Sequence, residues 1–404
     1  MMNDVQAARF NARLANISSF LSDSTFILPI WLLYSLNVLH LRPILAVAIF
    51  MTIWIGSAVL EIPTGALADR LSRKKIFIVG QLLFCLYPLA YALKFSVVPL
   101  IMVCLISALG SAMRSGSLLP IVHASFKKAE LSDKAYERFL SSNTVATFCA
   151  RAVTGLVGAW LYSLNHVWPF YAMFFVTFIN FLLGFFVKDT AVELEEEAAK
   201  TTNNQHIKQT LSIIRKSDVV FILIVAFGML NFAAEATWTG YQVFFQADGR
   251  SAFIIGALFS VIAVCSAISA YFIRFAIGKF RPLTLIQFFG LGVLITTALI
   301  FQPNHALRLL AVVPMRFASG TSAFVMNATV QKFIANRYQA TALSVVSFVI
   351  YAVYGIGSVG FGVLLQIFGV SKVRTILLVT ALTMSALVAL YTTGRARVVK
   401  SVAA

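Results

Sequence analysis

Residues 65–75 read GALADRLSRKK, a short basic segment between two long apolar runs at residues 43–67 and 76–93. An apolar run of roughly 20 residues is long enough to cross a bilayer as a helix. The segment is therefore expected to be the loop that joins two membrane helices. Its arginines and lysines predict that it faces the cytoplasm, because positive residues are retained on that side of a membrane.

The chain as a whole has the composition of a membrane protein. Of its 404 residues, 60% are hydrophobic and 12% are charged, and its mean hydropathy is +0.88. Backbone that crosses lipid must satisfy its own hydrogen bonds, and the alternating segments of a β-barrel are absent, so helices are expected. Twelve apolar runs are long enough to span, at about residues 14–39, 43–67, 76–93, 96–123, 139–164, 168–187, 218–246, 251–277, 282–301, 306–333, 340–368 and 372–393.

The net charge of +17 is distributed as membrane topology requires, so nucleic acid is not expected as a partner. With a cytoplasmic amino terminus, most of the 32 lysines and arginines fall in cytoplasmic segments. This bias predicts a multi-pass protein of the cytoplasmic (inner) membrane with both termini in the cytoplasm. No Walker-type phosphate loop is present, so no nucleotide is expected. The four cysteines lie in spans without CxxC spacing, so no metal site is expected.

The longest polar stretch divides the predicted spans into six and six. It covers residues 188–217 and contains an acidic run followed by several threonines and asparagines. Such a stretch is typical of a linker. The sequence therefore predicts an N-terminal six-helix bundle at 1–187, a cytoplasmic linker at 188–217 and a C-terminal six-helix bundle at 218–404.

The two halves share short motifs that recur in the same order. Residues 20–26 read FLSDSTF and residues 232–238 read FAAEATW, which both follow the pattern Phe-x-x-acid-x-Thr-aromatic. The other matches pair Met113-Arg114 with Met315-Arg316, and Phe148, Ala152, Val153 and Gly155 with Phe348, Ala352, Val353 and Gly355. Three ordered matches at similar offsets indicate an internal duplication.

Two six-helix halves with a pathway between them are an architecture of secondary transporters. Residues 65–75 resemble the loop between the second and third helices of the major facilitator superfamily, and residues 61–64 (EIPT) extend the resemblance to a subset of bacterial members. The resemblance implies an all-α integral membrane protein with twelve transmembrane helices in two pseudo-symmetric six-helix bundles. It also implies a transporter rather than an enzyme, a monomer in the lipid bilayer that uses the proton gradient and no cofactor.

The basic loop has residues suited to several tasks. Gly65 lets the second helix approach a neighbour closely, and Asp69 can cap the next helix or pair with Arg73. Arg70 and Arg73 are expected at the anionic cytoplasmic surface. The resemblance implies that this loop latches the two halves together in the outward-facing state, and the alternative is a topology signal alone. One turn earlier, Glu61 is expected to form an inter-helix hydrogen bond rather than to contact substrate.

Five ionisable side chains lie well inside the predicted spans, where an isolated charge costs roughly 2.5–3.5 kcal/mol on insertion scales. They are Asp23, Arg114, Arg151, Glu235 and Arg316. Because facing lipid would be unfavourable, these groups are expected to line a water-filled cavity or to pair with each other.

Asp23 is the strongest candidate for proton coupling. It lies near the middle of the first span, on a face that also carries Asn16 and Ser19. A carboxylate whose cationic neighbour can move away is suited to bind and release a proton. The alternative is a fixed structural ion pair with either Arg114 or Arg151.

The other in-span charges extend this hypothesis. Glu235 occupies the position in the second half that matches Asp23, and is the second candidate for coupling or substrate contact. The resemblance implies a proton-coupling role for an arginine on the fourth helix, where Arg114 lies. The predicted cavity is rich in positive charge because it contains Arg114, Arg151 and Arg316. This charge is compatible with an anionic or zwitterionic substrate.

The function that these features predict is proton-coupled export of a small amphiphilic compound or drug by alternating access. The alternative is uptake or export of a small anionic metabolite such as an organic acid or a siderophore. One departure counts against drug export: residues 155–158 read GLVG on the fifth helix, where the resemblance leads one to expect a signature rich in both glycine and proline.

Overall fold

The structure of the chain, a computed structural model, is built from α-helices. It describes residues 3–70, 72–115, 117–188, 218–276, 282–300, 304–311 and 336–402, with residues 212, 280, 302, 313 and 314. Within these residues no β-strand is present, which confirms the predicted fold class. The helices are α1 (Asp4–Ser22), α2 (Trp31–Asn37), α3 (Pro43–Arg70), α4 (Arg73–Phe84), α5 (Leu86–Ala92), α6 (Val97–Ser115), α7 (Leu118–Lys128), α8 (Asp133–Leu164), α9 (Trp168–Gly184), α10 (Asp218–Ala247), α11 (Ala252–Ala276), α12 (Pro282–Ile300), α13 (His305–Leu310) and α14 (Asn336–Val402).

Many of these helices are long and apolar enough to cross a membrane. Among the described residues, seven segments meet this condition: Pro43–Glu61, Arg73–Ala92, Val97–Lys128, Lys134–Leu164, Val220–Ala247, Ala252–Ser269 and Phe348–Tyr391. Two shorter apolar helices accompany them, Trp168–Gly184 and Thr284–Ile300. The number and length of these segments are those of a multi-pass membrane protein.

The last helix contains a break at the place where the sequence predicts the end of a span. Gly369 in α14 has a φ of 69°, which interrupts helical geometry between the predicted spans 340–368 and 372–393. Most of the predicted tenth span, 306–333, lies outside the described residues. The count of twelve transmembrane helices therefore stays a prediction.

The first predicted span is not one helix, and this corrects the prediction of a continuous span at 14–39. α1 begins early, at Asp4, and ends at Ser22, and α2 begins only at Trp31. Serine and aspartate side chains compete for backbone hydrogen bonds, and the Ser24 hydroxyl donates to the Phe20 carbonyl oxygen at 2.8 Å. Pro29 then lacks the N–H that a continuing helix would need.

The predicted fourth span, 96–123, is likewise two helices. α6 ends at Ser115 and α7 begins at Leu118. The Ser117 hydroxyl donates to the Met113 carbonyl oxygen at 2.6 Å, which satisfies one of the carbonyls that the end of α6 leaves open. Arg114 therefore lies in the last turn of a helix.

The chain forms two compact units. The first consists of residues 1–40, 49–202 and 251–263, and the second of residues 41–48, 203–250 and 264–404. Of the predicted linker at 188–217, the structure describes only Lys188 and Ser212. The predicted bundle limits, 1–187 and 218–404, stay predictions.

A buried apolar cluster in the first unit fixes the position of α1. Leu14 of α1 packs with Phe77 of α4, Val122 and Phe126 of α7, and Phe139 of α8. Van der Waals packing of such large side chains stabilises this arrangement of helices. The cluster holds the residues that follow on α1 against α8.

Candidate functional site

Asp23 and Arg151 form an ion pair in the first unit. The Arg151 guanidinium donates to Oδ1 of Asp23 from Nη2 at 2.6 Å and from Nε at 3.0 Å. The Thr147 hydroxyl donates to Oδ2 of the same carboxylate at 3.2 Å. The side chains of Asp23 and Arg151 are 25% and 44% exposed. Of the two pairings that the sequence left open for Asp23, the structure contains the one with Arg151.

The end of α1 explains why Asp23 needs a cation. Asp23 is the C-cap residue of this helix, and its backbone N–H donates to the Ser19 carbonyl oxygen at 3.0 Å. The C-terminal end of a helix has partial negative charge, which disfavours a carboxylate there. The Arg151 guanidinium offsets this repulsion. Separating the pair would therefore leave the Asp23 carboxylate in an unfavourable field.

The ion pair belongs to a longer row of polar contacts between α1 and α8, which we call the polar seam. On α8 the seam consists of Asn143, Thr147 and Arg151, spaced four residues apart so that they share one helix face. The Asn143 amide donates to the Ser19 hydroxyl at 2.8 Å. Asn143 and Thr147 are absent from the residues that the sequence singled out, although the four-residue spacing of polar residues in an apolar helix was a readable signal.

A second polar contact lies on another side of α1. The Asn180 amide of α9 donates to the Ser22 hydroxyl at 2.8 Å and to the Ser18 carbonyl oxygen at 3.2 Å. The Gln81 amide of α4 donates to the same Ser22 hydroxyl at 3.4 Å. The turn of α1 that ends at Asp23 is thus hydrogen-bonded to two further helices.

The chain beyond Asp23 packs directly against the backbone of α8. Gly158 faces the Phe26 carbonyl group, and a Cβ at this glycine would overlap the Phe26 backbone. Ile27 and Ile30 of the same non-helical stretch are buried. Non-helical backbone is tolerated at membrane depth where protein covers it. Gly158 provides the space that this covering requires.

Arg114 lies apart from the ion pair. Its guanidinium carbon is 3.7 Å from the centroid of the Phe84 ring, in cation–π geometry. The expected alternative of an Asp23–Arg114 pair is not found, because Arg151 binds the Asp23 carboxylate. Arg114 and Asp23 belong to the same unit.

Of the two remaining in-span charges, the structure describes Glu235. Glu235 is in α10 of the second unit, where it is 3% exposed. Arg316 lies outside the described residues. The structure therefore brings together Asp23 and Arg151 of the five predicted residues.

The segment at 65–75 is helical for most of its length, which corrects the prediction of a loop. α3 continues to Arg70 and α4 begins at Arg73. Gly65 and Asp69 are therefore helical residues, and their side chains, with that of Arg70, lie outside the described residues. The side chain of Arg73 is half-buried.

Ser72 lies within this segment, and Glu61 lies one turn before it. The Ser72 hydroxyl caps α4 by accepting a hydrogen bond from the Lys75 N–H at 3.4 Å. That Asp69 caps this helix or pairs with Arg73 stays a prediction. The Glu61 side chain is exposed. It forms no hydrogen bond with the part of the chain that the structure describes, where an inter-helix bond was expected.

The sequence matches a known protein family along most of its length. The model of the Major Facilitator Superfamily matches residues 14–359. Comparison with curated protein sequences gives no match.

Solved structures with a similar fold are transporters. The nucleoside transporter NupG has a TM-score of 0.77 and 15% identity, over 97% of this chain and 99% of that chain. A D-xylose-proton symporter has a TM-score of 0.72 and 15% identity, over 94% and 97%. A POT family transporter in complex with 5-aminolevulinic acid has a TM-score of 0.74 and 12% identity, over 96% of each chain. Because the family model covers most of the chain and these folds match nearly all of it, the protein belongs to the major facilitator superfamily and is a multi-pass membrane transporter of small molecules rather than an enzyme.

Proposed function

We propose that this protein is a proton-coupled secondary transporter that exports a small amphiphilic compound by alternating access. Asp23 is its principal proton-binding group. The observation that carries this proposal is the Asp23–Arg151 ion pair at the end of a broken helix. Interrupted helices with charged groups at their ends are typical of substrate and ion sites in secondary transporters.

The pair supplies a simple proton cycle. While Arg151 is bound, the Asp23 carboxylate is neutralised and holds no proton. When the change to the outward-facing state separates the two groups, the negative end of α1 acts on a bare carboxylate, and binding a proton from the external water removes that repulsion. Return of Arg151 to the carboxylate then expels the proton. Thr147 remains bonded to Oδ2 and holds the carboxylate in place.

The other predicted residues complete the proposal. Glu235 is the equivalent acid in the second half, with a smaller share in coupling, and Arg114 and Arg316 are the charged groups near the transported compound. The segment with Gly65, Asp69, Arg70 and Arg73 acts as the conformational latch. The protein acts as a monomer of the inner membrane with both termini in the cytoplasm, and the proton gradient is its energy source.

A second candidate is transport of a small anionic metabolite. The observation in its favour is Arg114, whose charge no carboxylate of the described residues neutralises at close range. Import and export are both compatible with this candidate. Protons cross the membrane in the same direction whether the compound is imported or exported.

Proton coupling can be tested in proteoliposomes that contain the purified protein and the pH-sensitive dye pyranine. Addition of ethidium and a panel of drugs and organic acids is expected to change the luminal pH for at least one compound. The Asp23→Asn variant should abolish this signal. The matched control is Asp4→Asn, which changes the same residue type at an exposed ion pair with Lys128. Preserved proton movement in Asp23→Asn would refute the proposal.

A further inference from the structure

Arg114 differs from Arg151 in having no carboxylate as a direct partner. The side chains of these two in-span arginines are described in the structure. Arg151 is bound to Asp23, whereas the Arg114 guanidinium lies on the Phe84 ring. Within the described residues, the Arg114 side chain makes no hydrogen bond and no ion pair. Asp23, Arg151 and Arg114 together therefore leave one positive charge in excess.

The close crossing of α4 and α6 holds the Arg114 guanidinium in this position. A Cβ at Gly80 would lie 2.8 Å from the Arg114 amide nitrogen, and one at Gly110 would lie 2.6 Å from the Phe84 amide nitrogen. No side chain fits at either glycine, so the two backbones touch. The helices run antiparallel, and side chains on a helix point toward its N-terminus. The Arg114 side chain is thereby directed from the level of Gly80 to the level of Phe84.

The Phe84 ring compensates this charge only in part. A cation–π contact contributes about 0.5–2 kcal/mol, and the C-terminal turn of α6 adds about 0.3–1 kcal/mol for a cation. A guanidinium has N–H groups in a planar fork that match a carboxylate. The Arg114 fork donates none of them to the described residues. An arginine at this depth that lacks an acid partner is expected to serve a function.

We infer that Arg114, held on Phe84, binds the anionic group of the transported compound. This inference rests on the proposed function and specifies it: the exported amphiphile is an organic anion that presents a carboxylate to the Arg114 fork. Asp23 does not compete with that carboxylate, because its oxygens are occupied by Arg151 and Thr147. Gly80 and Gly110 are positioning residues, since they act only through the helix crossing.

The test compares probes that differ only in charge. Benzoate, benzyl alcohol and benzylamine form one matched set, and hexanoate, hexanol and hexylamine form another. Binding to the purified protein in detergent is measured as the shift of the thermal unfolding midpoint against probe concentration. The two carboxylates are expected to bind more tightly than their neutral and cationic analogues. If neither carboxylate is preferred by the wild-type protein, the inference is overturned.

Variants of Arg114 test whether this residue is responsible for carboxylate binding. Arg114→Gln is expected to weaken carboxylate binding at least about tenfold, and Arg114→Lys, which keeps the charge but loses the fork, is expected to weaken it less. The matched control is Arg9→Gln, which removes a charge from an exposed position of α1 and should leave binding unchanged. Equal carboxylate affinity in Arg114→Gln and Arg9→Gln would overturn the assignment. If Arg114→Gln does not fold, wild-type-like affinity in Arg114→Lys overturns it instead.

The two proposals fail in different ways. Asp23→Asn is expected to lose proton coupling while it keeps carboxylate binding. If the wild-type protein prefers carboxylates but shows no proton-coupled flux, only the proposed function is overturned. If Asp23→Asn abolishes proton-coupled flux but the wild-type protein shows no carboxylate preference, only the role of Arg114 is overturned.

Discussion

The two copies of the Phe-x-x-acid-x-Thr-aromatic motif have different structures. In the first copy, residues 20–26, helix α1 ends at Ser22 and the acid lies at the break. In the second copy, residues 232–238, helix α10 continues through the acid to Ala247. A shared sequence pattern has therefore produced an interrupted helix in one unit and a continuous helix in the other.

The residues around each acid explain the difference. Asp23 has serine on both sides, and Asp and Ser side chains favour helix ends because they bond to nearby backbone. Glu235 is flanked by Ala234 and Ala236, and alanine and glutamate are strong helix formers. Six residues after the acid, the first copy has Pro29, whereas the second has Tyr241, which can continue the helix.

The surroundings of the two carboxylates also differ. Asp23 is partly exposed and bonded to Arg151, whereas Glu235 is almost fully buried. At the offset of 200 that relates the fifth and eleventh spans, the position that matches Arg151 is Tyr351. The residue at the position of the pairing cation therefore differs between the two copies. The partial exposure of the Asp23 side chain supports the proposal that it is the principal proton-binding group.

The largest expected effect comes from neutralising each acid in turn. Asp23→Asn should reduce pH-driven flux by at least about tenfold, because the carboxylate that carries the proton is lost. Glu235→Gln should reduce it less. The measurement is the initial rate of luminal pH change in proteoliposomes, with protein amount held equal. Equal losses in the two variants would remove the functional distinction between the copies.

The next effect concerns the packing of the interrupted segment. Gly158→Ala should destabilise the protein by about 1–3 kcal/mol, because the new Cβ overlaps the Phe26 backbone. The control is Gly228→Ala in α10, where the nearest atom, Val353 Cγ2, is 3.7 Å away. That variant should be neutral or gain up to about 1 kcal/mol from helix propensity. Thermal unfolding in detergent compares them, and a stable Gly158→Ala protein would contradict the packing at the break.

The end of the continuous helix provides a third test. Asp248 follows α10 and accepts hydrogen bonds from Arg308 at 3.0 Å and from Arg374 at 2.8 Å. Asp248→Asn should cost about 2 kcal/mol, less than the 3–5 kcal/mol of a fully buried pair, because solvent screens these groups in part. Flux per folded molecule should change little. A variant with unchanged stability and lost pH-driven flux would show that the functional acid lies in the second unit.

The smallest effect compares the threonines of the two motifs. Thr237 donates to the Ala233 carbonyl oxygen at 2.9 Å, as a threonine in a continuous helix can. The Thr25 hydroxyl is buried and has no hydrogen-bond partner among the described residues. Thr237→Val should therefore cost about 0.5–1.5 kcal/mol, whereas Thr25→Val should be neutral or stabilising. Thermal unfolding midpoints measure this difference, and equal losses would indicate that Thr25 is hydrogen-bonded in the membrane.

Much of the candidate site could be predicted from the sequence. The apolar runs and the 65–75 segment predicted the fold class and the family, since bilayer thickness dictates the length of a spanning helix. The in-span charges predicted Asp23 and Arg151 as candidates, and the structure pairs them. Two points could not be predicted from hydropathy alone: the interruption of the first span, and the continuation of α3 into the basic segment. Both depend on local hydrogen bonds, which apolar composition does not specify.

The sequence by itself determined that charged groups lie within an apolar helical protein, and that the acid motif occurs twice. Only the tertiary structure decided which arginine binds Asp23, because Arg114 and Arg151 are both far from it along the chain. The four-residue spacing on α8 places Arg151 beside Asp23, whereas the contact between Gly80 and Gly110 directs Arg114 onto Phe84. The pairing of charges in this protein is thus a consequence of which helix faces touch, and backbone contacts between helices determine those faces.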